Sequence, residues 1–329
     1  MSDLSVKYLG LNLSNPFVVS SCGVSATVKG VKQCAECGAG AVVLKSLFEE
    51  QIEAEIGMGD LGGDIDIHPE ASDYLAELGK LHGPRSYLQL IEEARRAVDI
   101  PVIASVNCVS ARWWSDYARQ IEAAGADALE LNIAIMPRTL DQEGAELENA
   151  FYRIVDQVRK QVSLPLTVKI GPYFTALPRV VAGVVEAGAN GVVLFNRFYQ
   201  LDIDAEAMKL VPGYQFSSHQ EMHLPLRWVS ILSPQIECDF SASTGVQSGL
   251  DAAKMILAGA NVVQVASVLY TEGVKHLQVM ITDLELWLDQ HGFGGPDEIR
   301  GKLTQSESYR SETLERLQYV KTLGEAGSL

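Results

Sequence analysis

Four stretches of the chain carry one phrase: ECGAGAVVLKS (36–46), EAAGADALELN (122–132), EAGANGVVLFN (186–196) and LAGANVVQVAS (257–267). In each, a helix-like segment ends at Gly-Ala and a short apolar run follows at once. Glycine adopts the left-handed conformation that closes a helix without steric cost, so the phrase marks a joint from helix to strand. The apolar runs are continuous instead of alternating, the pattern expected of parallel strands covered on both faces.

Working outward, PVIASVN (101–107), PLTVKIG (165–171) and IECDFSAS (236–243) each begin after a helix-like stretch. Two of them have Pro at the entry, where a missing N–H is tolerated. NPFVVSS (15–21) brings the strands to eight, separated by amphipathic segments such as SYLQLIEEARRAV (86–98) and ELENAFYRIVDQVRKQV (146–162). Eight alternating β/α units predict an α/β fold: one (β/α)8 TIM barrel, with 1–329 as a single domain and a helical C-terminal segment from about 273 to 329. Two long connections, 47–84 after the second strand and 197–221 after the sixth, fall where such barrels build their sites. The first, with GMGDLGGD and Pro84, reads as a lid, and a plain surface excursion is the alternative.

Composition narrows the function classes. A chain of 329 residues, 47% hydrophobic and 21% charged, is ample for one large core. A net charge of −16 argues against a nucleic-acid surface, which needs clustered Lys and Arg. The start, MSDLSVKYLGLNLSNPF, has no secretory signal pattern, and apolar runs such as 190–196 fall far short of the roughly 20 residues that span a bilayer. These features predict a soluble, cytoplasmic protein. Five cysteines (Cys22, Cys34, Cys37, Cys108, Cys238) are an odd, scattered set, expected to stay reduced. Cys34 and Cys37 form a CxxC in a predicted helix with no second pair, so they read as packing residues and no metal is expected.

A parallel barrel points the last residues of its strands into the mouth. In chain order these are Ser21, Cys22 and Gly23; Lys45 and Ser46; Asn107; Asn132; Lys169; Asn196; Ser243, Thr244 and Gly245; then Ala266 and Ser267. Burying a lone ammonium is costly, so Lys45 and Lys169 are expected to face an anionic partner, either a ligand or a structural acid. The stretches ASTGVQSGLDAAKMIL (242–257) and VASVLYTEG (265–273) place small residues, Thr and glycines after strands seven and eight, where this fold commonly seats a phosphate.

In this order NPFVVSSCGV, LKS, LELN, VKIGPYF, LFNRF, STGV and VAS resemble dihydroorotate dehydrogenase over nearly the whole chain. HPEASDYL, PVIASVN, PLRW and STGV are most similar to the branch labelled dihydroorotate dehydrogenase-like protein. The resemblance implies FMN at the mouth and oxidation of dihydroorotate to orotate, in pyrimidine biosynthesis. It places the FMN phosphate on Thr244, Gly245, Ala266 and Ser267, and the flavin against Ser21, Gly23, Ser46 and Asn107. It sets Lys45 and Lys169 near the ring, where a cation stabilises the reduced flavin. Asn132 and Asn196 match asparagines that hold a planar, amide-like substrate. A homodimer or a separate redox protein is the expected partner.

The departure is on strand four. The family follows its LN with a Cys or Ser that takes a proton from substrate, and here the run is Asn132-Ile-Ala-Ile-Met-Pro-Arg138, with Ile135 at the base position and Pro137 where a second asparagine is expected. His68, His82, His219 and His223 are the candidate replacements, each also readable as a surface histidine. Arg197 reads equally as a grip on a substrate carboxylate or as a structural pair with an acid. Three functions stay open: a dihydroorotate dehydrogenase-like enzyme, an FMN barrel with another substrate or little turnover, and a phosphate-sugar lyase or isomerase without flavin.

Overall fold

The computed structural model describes residues 2–55, 83–108, 114–137, 139–197, 200–213, 215–305, 316–317 and 319–321. Eight parallel strands, β1 (Phe17–Val19), β2 (Ala41–Val43), β3 (Val102–Cys108), β4 (Ala128–Ile133), β5 (Leu166–Ile170), β6 (Gly191–Leu194), β7 (Asp239–Ser243) and β8 (Val262–Val265), run side by side. β8 pairs with β1 and β2 with β3, so the sheet closes into a (β/α)8 barrel. The repeated phrase does what its chemistry requires. Gly38, Gly125, Gly188 and Gly259 have φ of 87°, 90°, 111° and 113°, and each stands at one position in the joint, just before β2, β4, β6 or β8.

Helices α1 (Val28–Glu36), α2 (Glu49–Glu55), α3 (Pro84–Ala97), α4 (Trp114–Ala123), α5 (Gly144–Arg159), α6 (Leu177–Glu186), α7 (His223–Leu232) and α8 (Gly249–Leu257) alternate with the strands, and α9 (Ser267–Thr271) and α10 (His276–His291) follow β8. Their apolar stripes, such as Phe151, Ile154, Val155 and Val158 on α5, pack against the outward faces of the strands. Cys34 and Cys37 are buried at the end of α1. Burial pushes the Cys34 thiol up to about 12.

An N-terminal hairpin, Val6–Tyr8 paired with Leu11–Leu13, plugs the bottom of the barrel. Tyr8, Leu9 and Leu13 pack there on Val18, Ala41, Val43, Ile103, Ala128 and Val262. Its turn places both Leu9 and Gly10 at positive φ, 54° and 76°. That suits a two-residue hairpin turn, and Leu tolerates it because its side chain is buried and its N–H donates to the Asp239 carboxylate at 2.6 Å.

Above this plug the barrel interior differs from the uniformly apolar strands that the sequence suggests. Ser20, Ser105, Glu130, Thr167, Ser241 and Gln264 are all buried. In a strand the side chains alternate between faces, so an apolar outer row conceals a polar inner one. The connection after β6 contains a second hairpin, Leu201–Asp204 with Lys209–Pro212, and a short 3-10 turn at His219–Met222. Most of the segment read as a lid lies outside the described residues; of it, a short strand (Leu47–Phe48) pairs beside β3 and α2 follows.

Candidate active site

Barrel closure sets Asn107, Asn132 and Lys169 side by side at one level, because β3, β4 and β5 pair in register. Asn196 at the end of β6 donates from Nδ2 to Asn132 Oδ1 at 2.9 Å. Reaching towards the layer below, Lys169 donates to Ser20 Oγ at 2.9 Å and to Gln264 Oε1 at 3.1 Å, and its Nζ stands 3.9 Å from Glu130 Oε1. Gln264 Nε2 donates to Glu130 Oε2 at 2.7 Å.

A line of hydroxyls runs from this buried acid to the mouth. Ser105 Oγ donates to Glu130 at 3.4 Å, Ser46 and Ser105 are 2.8 Å apart, and Ser21 and Ser46 are 2.9 Å apart. Ser21, Ser46, Asn107, Asn132, Lys169 and Asn196 are thus gathered at one end of the barrel. Lys45 stands at the rim and is exposed, so the burial that would oblige it to meet an anion holds for Lys169 alone of the two lysines. Lys169 is buried and has its acid, Glu130. Glu130 and Gln264 escaped the reading of strand ends because they sit inside the strands. Each stands in the sequence as a polar residue between apolar neighbours, in LELN and VVQV.

The loops after β7 and β8 meet a strap from the connection after β6. Thr244 and Gly245 are both left-handed, with φ of 86° and 78°. Any side chain at Gly245 would overlap the backbone nitrogen of Met222. Gly245 N–H donates to Ser217 Oγ at 3.3 Å, and Ser217 donates from its N–H and its hydroxyl to Ser267 Oγ at 3.0 and 2.8 Å. Beside it Phe216 stacks on Tyr270 with ring centres 5.0 Å apart, and Tyr270 OH accepts the Gly23 N–H at 2.6 Å. Thr244, Gly245, Ala266, Ser267 and Gly23 are therefore parts of one cluster, to which the structure adds Ser217. A Ser in a long irregular connection carries no sequence signal of this.

Arg197 forms a structural pair: Nε lies 3.0 Å from Glu221 Oε1 and a guanidinium N–H donates to Gln215 O at 2.6 Å, tying the strap down. Next to it a cavity of about 500 Å³ is lined by Tyr173, Asn196, Arg197, His223, Arg227 and Thr244. His223 faces this cavity, whereas His219 sits 3.2 Å from Asp251 Oδ2 on another side. His68 and His82 lie outside the described residues. Ile135 is half-buried against the core, and Met136 and Pro137 are exposed beyond it. Among the described residues no group of three or more His, Cys, Asp or Glu side chains is placed to hold a metal ion.

A closed parallel barrel with amides, hydroxyls and a buried lysine at the carboxyl ends of its strands has the build of a barrel enzyme. Residues 3–288 match the family Dihydroorotate dehydrogenase, and the chain belongs to it. It is 25% identical to Dihydroorotate dehydrogenase B (NAD(+)), catalytic subunit, of Pyrococcus furiosus, over 91% of this chain and 98% of that protein. The same-named subunit of Thermoplasma acidophilum is 25% identical over 92% and 99%. Dihydropyrimidine dehydrogenase (NADP(+)), chloroplastic, of Arabidopsis thaliana is 24% identical over 95% and 80%. This kinship supports an oxidoreductase.

Proposed function

We propose that the protein is an FMN-dependent oxidoreductase of CH–CH bonds, whose substrate is a small planar amide-bearing ring, dihydroorotate or a relative. The observation that carries this reading is the convergence of Lys169, the Asn132–Asn196 amide pair and the Ser21–Ser46 hydroxyls at one barrel mouth, in a member of this family. The donor set fits the cofactor. A cation with surrounding N–H and O–H donors suits a ring rich in carbonyl and nitrogen acceptors, and the Ser267 hydroxyl, which accepts from Ser217 and keeps its own O–H to donate, suits a phosphate.

On this reading Ser21, Gly23, Ser46, Asn107 and Lys169 would hold the flavin, and Thr244, Gly245, Ala266 and Ser267 its phosphate. Bound there, FMN would supply the two-electron acceptor for the hydride that leaves the substrate. Asn132 and Asn196 orient the ring through amide hydrogen bonds, each already aimed by the other. Lys45, exposed at the rim, meets a ligand without first being desolvated. Lys169, tied to Ser20 and Gln264 with two of its three N–H groups, would offer its ammonium to the flavin from a fixed position.

Ile135 favours a second reading, in which the pocket serves a substrate other than dihydroorotate. An aliphatic side chain accepts no proton, and general-base catalysis is typically worth about 10²–10⁴-fold. Dihydroorotate should therefore reduce the bound flavin slowly, and Ile135→Cys should speed that half-reaction by about 10²–10⁴-fold in stopped-flow absorbance. Fast reduction of the wild type would sink the expectation of a missing base. Slow reduction in both proteins would point to another substrate. For the cofactor, Ser267→Asp is the cleaner test, since Gly245 has no room for a side chain. An acid is tolerated at the first position of α9, so the variant should fold and lose FMN. A folded Ser267→Asp protein that retains stoichiometric FMN would place the phosphate elsewhere.

A further inference from the structure

Beneath the mouth, two opposite charges share one hydrogen-bonded frame. Lys169 Nζ and Glu130 Oε1 are 3.9 Å apart, too far for a hydrogen bond between them. Gln264 grips both instead: its amide oxygen accepts from Lys169 at 3.1 Å, and its amide nitrogen donates to Glu130 at 2.7 Å. Ser20 completes the frame, accepting from Lys169 at 2.9 Å and donating to Gln264 Oε1 at 3.0 Å. Flipping the Gln264 amide would set donor against donor and acceptor against acceptor, so the frame has one orientation. Glu130 is wholly buried, and Lys169 is 5% exposed.

A buried ion pair of this kind adds little net stability, since the desolvation of both charges offsets their attraction. Packing alone therefore does not explain it. Lys169 sits at the level of Asn132, directly under the mouth, and Glu130 lies two residues deeper on the same strand as Asn132. We propose that Glu130 is a positioning residue for Lys169: through Gln264 it fixes the ammonium and offsets part of its charge, and so sets the reduction potential of the flavin at the mouth. The inference rests on the FMN reading above. Reduction adds electron density to the flavin, which the Lys169 cation favours and the Glu130 carboxylate opposes. At an effective dielectric of about 20, removing a charge within about 10 Å of the flavin would shift the reduction equilibrium by on the order of tenfold or more.

The test is a set of midpoint potentials on FMN-loaded protein. Glu130→Gln keeps the shape and an acceptor for Gln264 but removes the charge, so its potential should rise by about 30 mV or more, the two-electron equivalent of tenfold. Lys169→Met should lower the potential, and the double variant should return close to wild type because the lost charges cancel. A Glu130→Gln protein that holds FMN at an unchanged or lower potential overturns the proposal. Should Glu130→Gln alone fail to fold, with Lys169 left buried and unpaired, the double variant compared with Lys169→Met carries the same test. There the upward shift is again expected, and its absence is equally decisive. A wild-type protein that takes up no FMN removes the reading and the inference together, a result that unchanged potentials cannot mimic.

Discussion

Thr244 and Gly245 stand in succession at positive φ, yet tolerate substitution very differently. A β-branched residue at positive φ is strained by about 1–3 kcal/mol. Thr244 recovers part of this by donating from Oγ1 to Phe195 O at 3.1 Å, a bond worth roughly 1 kcal/mol. Thr244→Gly should therefore change the free energy of unfolding by less than about 1 kcal/mol. Gly245→Ala combines a left-handed conformation with overlap on the Met222 backbone, and should lower stability by about 2 kcal/mol or more. Thermal melts of the two variants check the contrast, and equal losses would mean that the loop relaxes freely. At this scale the strand-end residues were readable from order alone, since each follows an apolar run. Glu130 and Gln264 do not stand out because a strand's inner and outer rows interleave in the sequence, and the outer apolar row dominates the pattern.

Among the elements, the eight strands and most of their helices are legible because four helix-to-strand joints carry one glycine-centred phrase and the other four strands are apolar runs set beside amphipathic segments. The two hairpins are not. Their three- or four-residue strands are neither continuously apolar nor preceded by a helix-like segment, and the N-terminal hairpin is held by the barrel floor beneath it. Tyr8 makes that dependence measurable. Its ring is fully buried, and its hydroxyl donates to Thr167 Oγ1 at 3.3 Å. Tyr8→Ala should cost about 3–5 kcal/mol and Tyr8→Phe about 1 kcal/mol in urea unfolding. A small loss for Tyr8→Ala would show that the plug contributes little to barrel stability.

At the scale of the whole molecule, Asp239 ties the plug to β7, with Leu9 N–H at 2.6 Å and Asn261 Nδ2 at 2.9 Å on its carboxylate. Burial holds its carboxyl above the usual range, against the pull of Leu9 N–H, Arg300 and Asn261. An acid whose folded value is raised binds its proton more tightly folded than unfolded. It therefore subtracts from stability at neutral pH, and the subtraction fades as pH falls from the raised value towards the ordinary value of about 4. Asp239→Asn removes this dependence while keeping an acceptor for Leu9. The stability of the variant relative to wild type should be highest at neutral pH and decline through that window. Urea midpoints at several pH values test it, and a relative stability that rises on acidification would reverse the assignment.

The features legible in one dimension are local or ordered: the helix-to-strand joints, the eight strands and hence the barrel, the strand-end residues of the mouth, and the family. These follow from short-range backbone chemistry and from motif order, both of which survive in one dimension. The tertiary structure alone decided which polar groups meet. Gln264 reaches Glu130 across 134 positions and Lys169 reaches Ser20 across 149, because closing the barrel brings the inner faces of β4 and β5 opposite those of β1 and β8. It also set Ser217 on Gly245 and Ser267, turned Arg197 to Glu221 and left Lys45 exposed. The reason is physical: periodicity specifies the face on which a side chain lies, and only the closed sheet specifies the distance across to the face it confronts.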